Sequence, residues 1–244
     1  MQTLRGLRSF SLAPATRERL ADLFCDAAAL AGWVALDLGD VAQAWRHHEA
    51  AKDAGRETGS VVALTHALAQ QAYVLVEVGR TTDARQLAEY AVETGGRHIP
   101  PVLAAWLQAV VGEVAAISGD VNGSNRSFES AARILPVDPT DPAVPYIMLD
   151  EFQLARWRGT ASARLGDEAA ISELHYALTG MDSSFVRAKA QLHVELAHSL
   201  ITARHQDEAL RQVAQAKALA VRVGSLRQRR RVRDLELLLH HTGR

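Results

Sequence analysis

The sequence predicts an all-helical protein built as a solenoid of about five stacked helix pairs plus a capping helix, and three observations carry that prediction. Ala, Leu, Glu, Arg and Gln, all good helix formers, dominate a chain with only 5% aromatic residues. Apolar residues recur at three- and four-residue steps, and no alternating run of strand type is present. Glycine and proline interrupt these stretches at Pro14, Gly39, Gly79, Pro100-Pro101, Gly119, Pro136 and Gly166, and the tight turns among them recur about every 40 residues. The punctuation marks out about ten helices, most of roughly 12–20 residues.

The elements follow in order. Leu20, Leu23, Phe24, Ala27, Leu30, Ala31 and Val34 form an apolar stripe on the first helix, and Leu192, Leu196, Ala197 and Leu200 do the same late in the chain. Tight connectors fall at Leu38-Gly39-Asp40, Val78-Gly79-Arg80, Ser118-Gly119-Asp120, Leu165-Gly166-Asp167 and Ala203-Arg204-His205, with steps of 40, 40, 47 and 38 residues. Seven residues before each turn residue stand Gly32, Ala72, Gly112, Gly159 and Ala197. Five residues after it come Ala44, Ala84, Ser124 and Ala209, and seven further on Ala51, Ala91, Ala131 and Ala216. The fourth unit fits with a turn one residue shorter, which brings Ala170 and Ala177 into those places.

Two antiparallel helices approach most closely where both carry Gly or Ala, while larger residues fill the gap to the next pair. On these small-residue positions the chain resembles the tetratricopeptide (TPR) pattern across residues 20–223. It departs from that pattern in a spacing near 40 residues and in the missing terminal proline of most units. The resemblance implies a TPR-like right-handed superhelix occupying residues 1–244 as a single domain. Its repeats would lie near 20–56, 58–95, 100–135, 146–180 and 184–223, with a cap over 225–241. An irregular Ala-rich helical bundle is the alternative.

A narrower resemblance lies in the second half. Asp150-Glu-Phe-Gln-Leu-Ala, Ala163-Arg-Leu-Gly-Asp, Ser184-Phe-Val-Arg-Ala-Lys-Ala and Gly224-Ser-Leu-Arg-Gln-Arg-Arg-Arg-Val-Arg-Asp-Leu occur in that order. They are similar to the C-terminal repeats of actinomycete helix-turn-helix transcription regulators of the XRE type. The resemblance implies a regulatory or dimerising sensor. About 15 residues precede the first repeat helix, too few for a DNA-reading head, so no DNA-contacting residue carries over.

Composition narrows the function classes. Lys and Arg number 27 against 28 Asp and Glu, a balance that calls for neither nucleic acid nor membrane. Cys25 is the single cysteine, which leaves no internal disulfide and fits a reducing, cytoplasmic setting. Neither a signal peptide nor an apolar run of about 18 residues is present.

In a TPR superhelix the first helix of each pair faces the concave groove. That register selects Asp26, Trp33 and Asp37, then His66, Tyr73 and Glu77, then Trp106 and Glu113. It continues with Gln153, Arg156 and Arg164, and ends with Gln191 and His198. Acids come early and bases late, so the groove is expected to have a direction. Two tryptophans could anchor a peptide or an amphipathic small molecule, or could simply fill the core between helices. Arg156 offers a planar fork to a carboxylate or phosphate.

Other candidates are weaker. His47-His48 and His240-His241 are neighbours about 100° apart on a helix, and His193 and His198 are spaced five apart, so none has metal-ligand geometry. Cys25 lies among Leu23, Phe24 and Ala27 and reads as a buried, inert thiol. No catalytic constellation or cofactor motif is found. The run Arg227, Arg229, Arg230, Arg231, Arg233 belongs to the cap helix, whose polar face would shield the end of the core; the rival is a nucleic-acid contact. Pro136, Pro139, Pro142 and Pro145 make a semi-rigid connector that could rim the groove or act as a hinge. The expected protein is therefore non-enzymatic and regulatory, binding a peptide, small-molecule effector or partner protein. A homodimerising scaffold with no groove ligand is the alternative.

Overall fold

The computed structural model describes Gly6 and residues 13–167 and 169–242. Eleven α-helices run between Pro14 and Thr242, and no strand occurs among the described residues. They form five hairpins: α1 (Pro14–Asp37) with α2 (Val41–Thr58), α3 (Val61–Glu77) with α4 (Thr81–Gly95), α5 (Pro101–Ile117) with α6 (Val121–Ile134), α7 (Glu151–Leu165) with α8 (Ala169–Gly180), and α9 (Val186–Thr202) with α10 (Gln206–Arg222). The last helix, α11 (Leu226–Thr242), stands alone. The odd-numbered helices α1 to α9 touch one another in succession and form one wall, and α11 packs on α9, α10 and α1.

Each hairpin turns the same way. The backbone N–H of Asp40, Arg80, Asp120, Asp167 and His205 donates to the carbonyl of Ala35, Leu75, Ala115, Ser162 and Leu200 respectively, the bond that closes a Schellman turn. The preceding residue must be left-handed. Gly39, Gly79, Gly119 and Gly166 have φ of 80°, 78°, 77° and 75°, and Arg204 adopts 61° despite its side chain. Asp40 and Asp120 then cap the next helix, accepting from the N–H of Gln43 at 2.9 Å and of Gly123 at 2.8 Å.

The small residues work differently from a simple Gly-on-Ala contact. A Cβ at Gly32 would meet the His48 ring at 2.6 Å, one at Gly112 the Phe128 ring at 2.8 Å, and one at Gly159 Leu174 at 2.9 Å. Each glycine is thus a socket for a large side chain on the second helix. Where the socket position is Ala72 or Ala197, the matching position holds the smaller Ala88 or Val213. Alanines 44, 51, 84, 91, 131, 170, 177, 209 and 216 are fully buried.

The apolar stripe expected on α1 is rotated. Leu23 and Leu30 are 60% and 65% exposed and Val34 is exposed too, whereas Ala21, Phe24, Cys25, Ala28, Gly32 and Leu36 are buried. The helices approach on small residues, so the larger leucines are left outside the hairpin contact. The stripe on α9 is as expected, with Leu192, Leu196, Ala197 and Leu200 all fully buried.

Two features turn this wall into a site. The connector between α6 and α7 is pinned by buried Val144, Ile147 and Leu149, and Tyr146 reaches across to Asp26 of α1 and His66 of α3. The superhelix also closes on itself. Asp37 at the end of α1 takes an ion pair from Arg187 of α9 and a 2.7 Å hydrogen bond from the Ser225 hydroxyl, which caps α11.

Candidate functional site

Four positions repeat along the inward wall, thirteen, nine, six and two residues before the turn residue. Steps of four, three and four keep them on one helical face. The first two positions and the start of the third build an aromatic chamber of about 400 Å³. Asp26, His66 and Trp106 come from the first position, Leu30, Gln70 and Trp157 from the second, and Trp33 and Tyr73 from the third. Tyr146 of the connector completes the lining.

The rings brace one another. Tyr73 meets Trp33 edge-on at 5.6 Å and Trp157 at 6.2 Å, and Trp157 meets Trp106 at 6.0 Å. His66 stacks on Tyr146 at 4.4 Å and tilts against Trp106 at 5.3 Å. Such pairs hold rings in place beyond what area burial alone provides. Burial pushes the His66 imidazole down to about 3, helped by the nearby His48 ring, so His66 is neutral. Its Nε2 lies 2.8 Å from the Gln70 amide nitrogen. Burial pushes Asp26 up, against a hydrogen bond from Tyr146 that lowers it.

A second cavity of about 600 Å³ adjoins the chamber, sharing Trp33, His66, Trp106, Tyr146 and Trp157 and adding Gln153, Arg156, Arg187 and Gln191. Arg156 lies 5.4 Å over the Trp157 ring and donates to Gln153 at 3.2 Å. No carboxylate of a described residue lies within ion-pair distance of it. Burial lowers its pKa, and the Glu113 charge nearby opposes that shift.

Nearer the turns the wall is charged rather than aromatic. Tyr73 donates to Glu113 at 2.8 Å. Glu77 faces Arg227 at 4.0 Å. Arg164, two residues before its turn, lies 3.9 Å from buried Glu195 at the second position of α9, which also takes a two-pronged bond from Arg231 at 2.7 and 2.9 Å. Burial raises the Glu195 pKa, but Arg231 outweighs it and holds the carboxyl below its usual range. Arg227 and Arg231, four residues apart, therefore face inward, while Arg229, Arg230 and Arg233 are exposed.

The expected groove residues consequently divide. Asp26, Trp33, His66, Tyr73 and Trp106 line the chamber, and Gln153, Arg156 and Gln191 the adjoining cavity. Glu113 sits behind Tyr73. Asp37 and Glu77 are occupied by Arg187 and Arg227, and His198 lines a separate cavity with Glu195, Arg164 and Arg231. Of the early acids behind the expected charge gradient, Asp37 and Glu77 are met by the late arginines Arg187 and Arg227, Glu113 is bonded by Tyr73, and Asp26 has no arginine or lysine at ion-pair distance among the described residues. Trp33 and Trp106 both pack on the core and line the chamber.

Sequence reasoning missed Trp157, Gln70 and Leu30. The signal was present, since all three stand nine residues before a turn glycine, a position the register skipped. Tyr146 had no such signal, because the connector has no period. Cys25 is buried, donates to the Ala51 carbonyl at 3.2 Å and is pushed up to about 12 by burial. No group of three or more His, Cys, Asp or Glu able to hold a metal occurs among the described residues, and no described helix is long and apolar enough to cross a membrane.

Neither a family model nor a curated protein matches the sequence. Among solved structures the chain is similar to a thermophilic TPR protein of Thermus thermophilus, with 21% identity over 87% of this chain and 99% of that one and a TM-score of 0.57. It also matches the TPR2AB domain of yeast Sti1, in a complex with pHSP90, at 16% identity over 88% of this chain and 98% of that one. The TM-score there is 0.39, too loose a likeness to carry an argument. Repeated hairpins, Schellman turns, a continuous inner wall and the Thermus likeness lead to one conclusion: the chain has a TPR-like superhelical fold.

Proposed function

We propose that this chain is a non-catalytic regulatory module, a single solenoid that binds a small amphipathic molecule or a short peptide end in its concave chamber. The observation that carries the reading is the shape of the wall. The connector turns an open groove into joined cavities of about 400 and 600 Å³, the scale of small-molecule sites. Aromatic rings would cover the apolar body of the ligand. Arg156, with no carboxylate partner among the described residues, would take an acidic group such as a carboxylate or phosphate. The resemblance of the second half to XRE-type sensor repeats favours a role in transcriptional or signalling control, in the cytoplasm.

A second reading, a homodimerising scaffold, draws on exposed Leu210 and Leu237 beside the groove between α10 and α11. The binding reading is tested by mass spectrometry of small molecules that co-purify, followed by calorimetry. Trp106→Ala and Arg156→Ala should each weaken binding by ~1–4 kcal/mol, and Arg229→Ala on the outer side of α11 should leave it unchanged. Equal loss in Arg229→Ala would move the site to the arginine helix.

A further inference from the structure

We infer that the aromatic chamber recognises a compact organic cation, an alkylated ammonium group held against the rings beside Asp26. The inference rests on the chamber being the ligand site and adds the chemical class of what enters it. Five rings, those of Trp33, Tyr73, Trp106, Tyr146 and Trp157, line about 400 Å³. A cation within about 6 Å of an aromatic face is attracted by the ring quadrupole, most strongly where water is excluded.

Charge complementarity points the same way. Asp26 is the only carboxylate in the lining, and no lysine or arginine lines it among the described residues. None of the described residues places one within ion-pair distance of Asp26 either; the Tyr146 hydroxyl is its polar neighbour. The one imidazole, His66, is neutral and offers no repulsion. The chamber is therefore a largely apolar space with one half-buried acid and no counter-charge among the described residues, and burying such an acid is costly until a cation arrives.

The few polar groups decide which cation. A primary ammonium carries three donors that need acceptors, and of the acceptors in the lining His66 already faces Gln70, the Tyr146 hydroxyl faces Asp26 and the Tyr73 hydroxyl is turned to Glu113. An alkylated ammonium presents methyl surface to the rings and leaves few donors unmet. The protein already uses two of these rings this way from outside the chamber, with Arg156 at 5.4 Å from Trp157 and Arg227 at 6.0 Å from Trp33.

The experiment titrates the full chain with choline and with its neutral isostere 3,3-dimethylbutan-1-ol, read by tryptophan fluorescence. The expected result is choline binding about ten-fold or more tightly than the alcohol. Asp26→Asn should remove most of that difference and spare the alcohol's affinity. Equal binding of the two probes, or binding of neither, overturns the inference. Should Asp26→Asn fail to fold, the ratio on the unsubstituted chain still decides. The chamber reading fails separately, if neutral Nile red finds no site that Trp106→Ala abolishes.

Discussion

Along the odd-numbered helices, the inward positions far from the turns carry Asp26, His66, Trp106, Leu30, Gln70 and Trp157, and those close to the turns carry Asp37, Glu77, Glu113 and Arg164. Both sets lie on the same helical face, in the same register. The first set surrounds an open chamber of about 400 Å³. The second is consumed by the chain itself: Arg187 and Arg227 return from the far end of the sequence to pair with Asp37 and Glu77, and Arg164 lies 3.9 Å from Glu195, which Arg231 holds. A repeat scaffold thus supplies one wall with two fates. Where the last helix folds back, inward side chains hold the ring of helices shut; where only the connector crosses, they line an open cavity.

The largest effect that separates the two halves is on stability. Glu195 is almost fully buried and held by both prongs of Arg231. Glu195→Ala leaves that guanidinium unpaired and should cost ~3–5 kcal/mol in urea unfolding. An unchanged midpoint would mean that the charged half does not close the structure.

Acid should act next, through two buried histidines, His66 on the aromatic wall and His48 in the contact between α1 and α2. His48 is pushed down to about 4 and His66 to about 3, in both cases mainly by burial. Neither ring nitrogen of His48 has a hydrogen-bond partner among the described residues. A folded-state value below the unfolded value means that the unfolded chain binds protons first. Stability from these groups is complete above the ordinary histidine value of 6.5 and is lost as pH falls from there towards the folded values. Between pH 6.5 and about pH 5 the two should together cost ~3 kcal/mol. Glu49 and Glu195, whose carboxyls are held low, lose their contribution only below this window. Equal urea midpoints at both ends of it would contradict the burial argument.

Much of this was legible in the sequence. The turn glycines announce themselves because only a left-handed residue closes a Schellman bond, and their spacing fixes the register that puts Trp33, Tyr73 and Trp106 on one wall. The stripe on α1 was misread because the hairpin contact uses Ala and Gly, leaving Leu23 and Leu30 conspicuous but outside it. Closure was illegible for a different reason. Asp37 and Arg187 are 150 residues apart, and Asp37 and Ser225 are 188 apart. No local pattern links such pairs, so acids and bases that neutralise each other read as a gradient. Tyr146 lies in a connector, where periodicity gives no direction at all.

The smallest effect belongs to the strap. Tyr146→Phe keeps the ring on His66 and removes the hydroxyl from Asp26, so it should change stability by only ~0.5–1.5 kcal/mol. Its larger consequence should be on binding, because the hydroxyl is the polar neighbour of the Asp26 carboxylate. A loss of stability as great as that of Glu195→Ala would show that the strap, too, belongs to the closing machinery.

The most direct test of this division is a crystal structure of the full chain soaked with choline. The expected result is density enclosed by Trp33, Trp106, Tyr146 and Trp157, with the ammonium beside Asp26. Density among Glu195, His198 and Arg231, or against the outer face of α11 at Arg229 and Arg233, with the aromatic chamber empty, would contradict it.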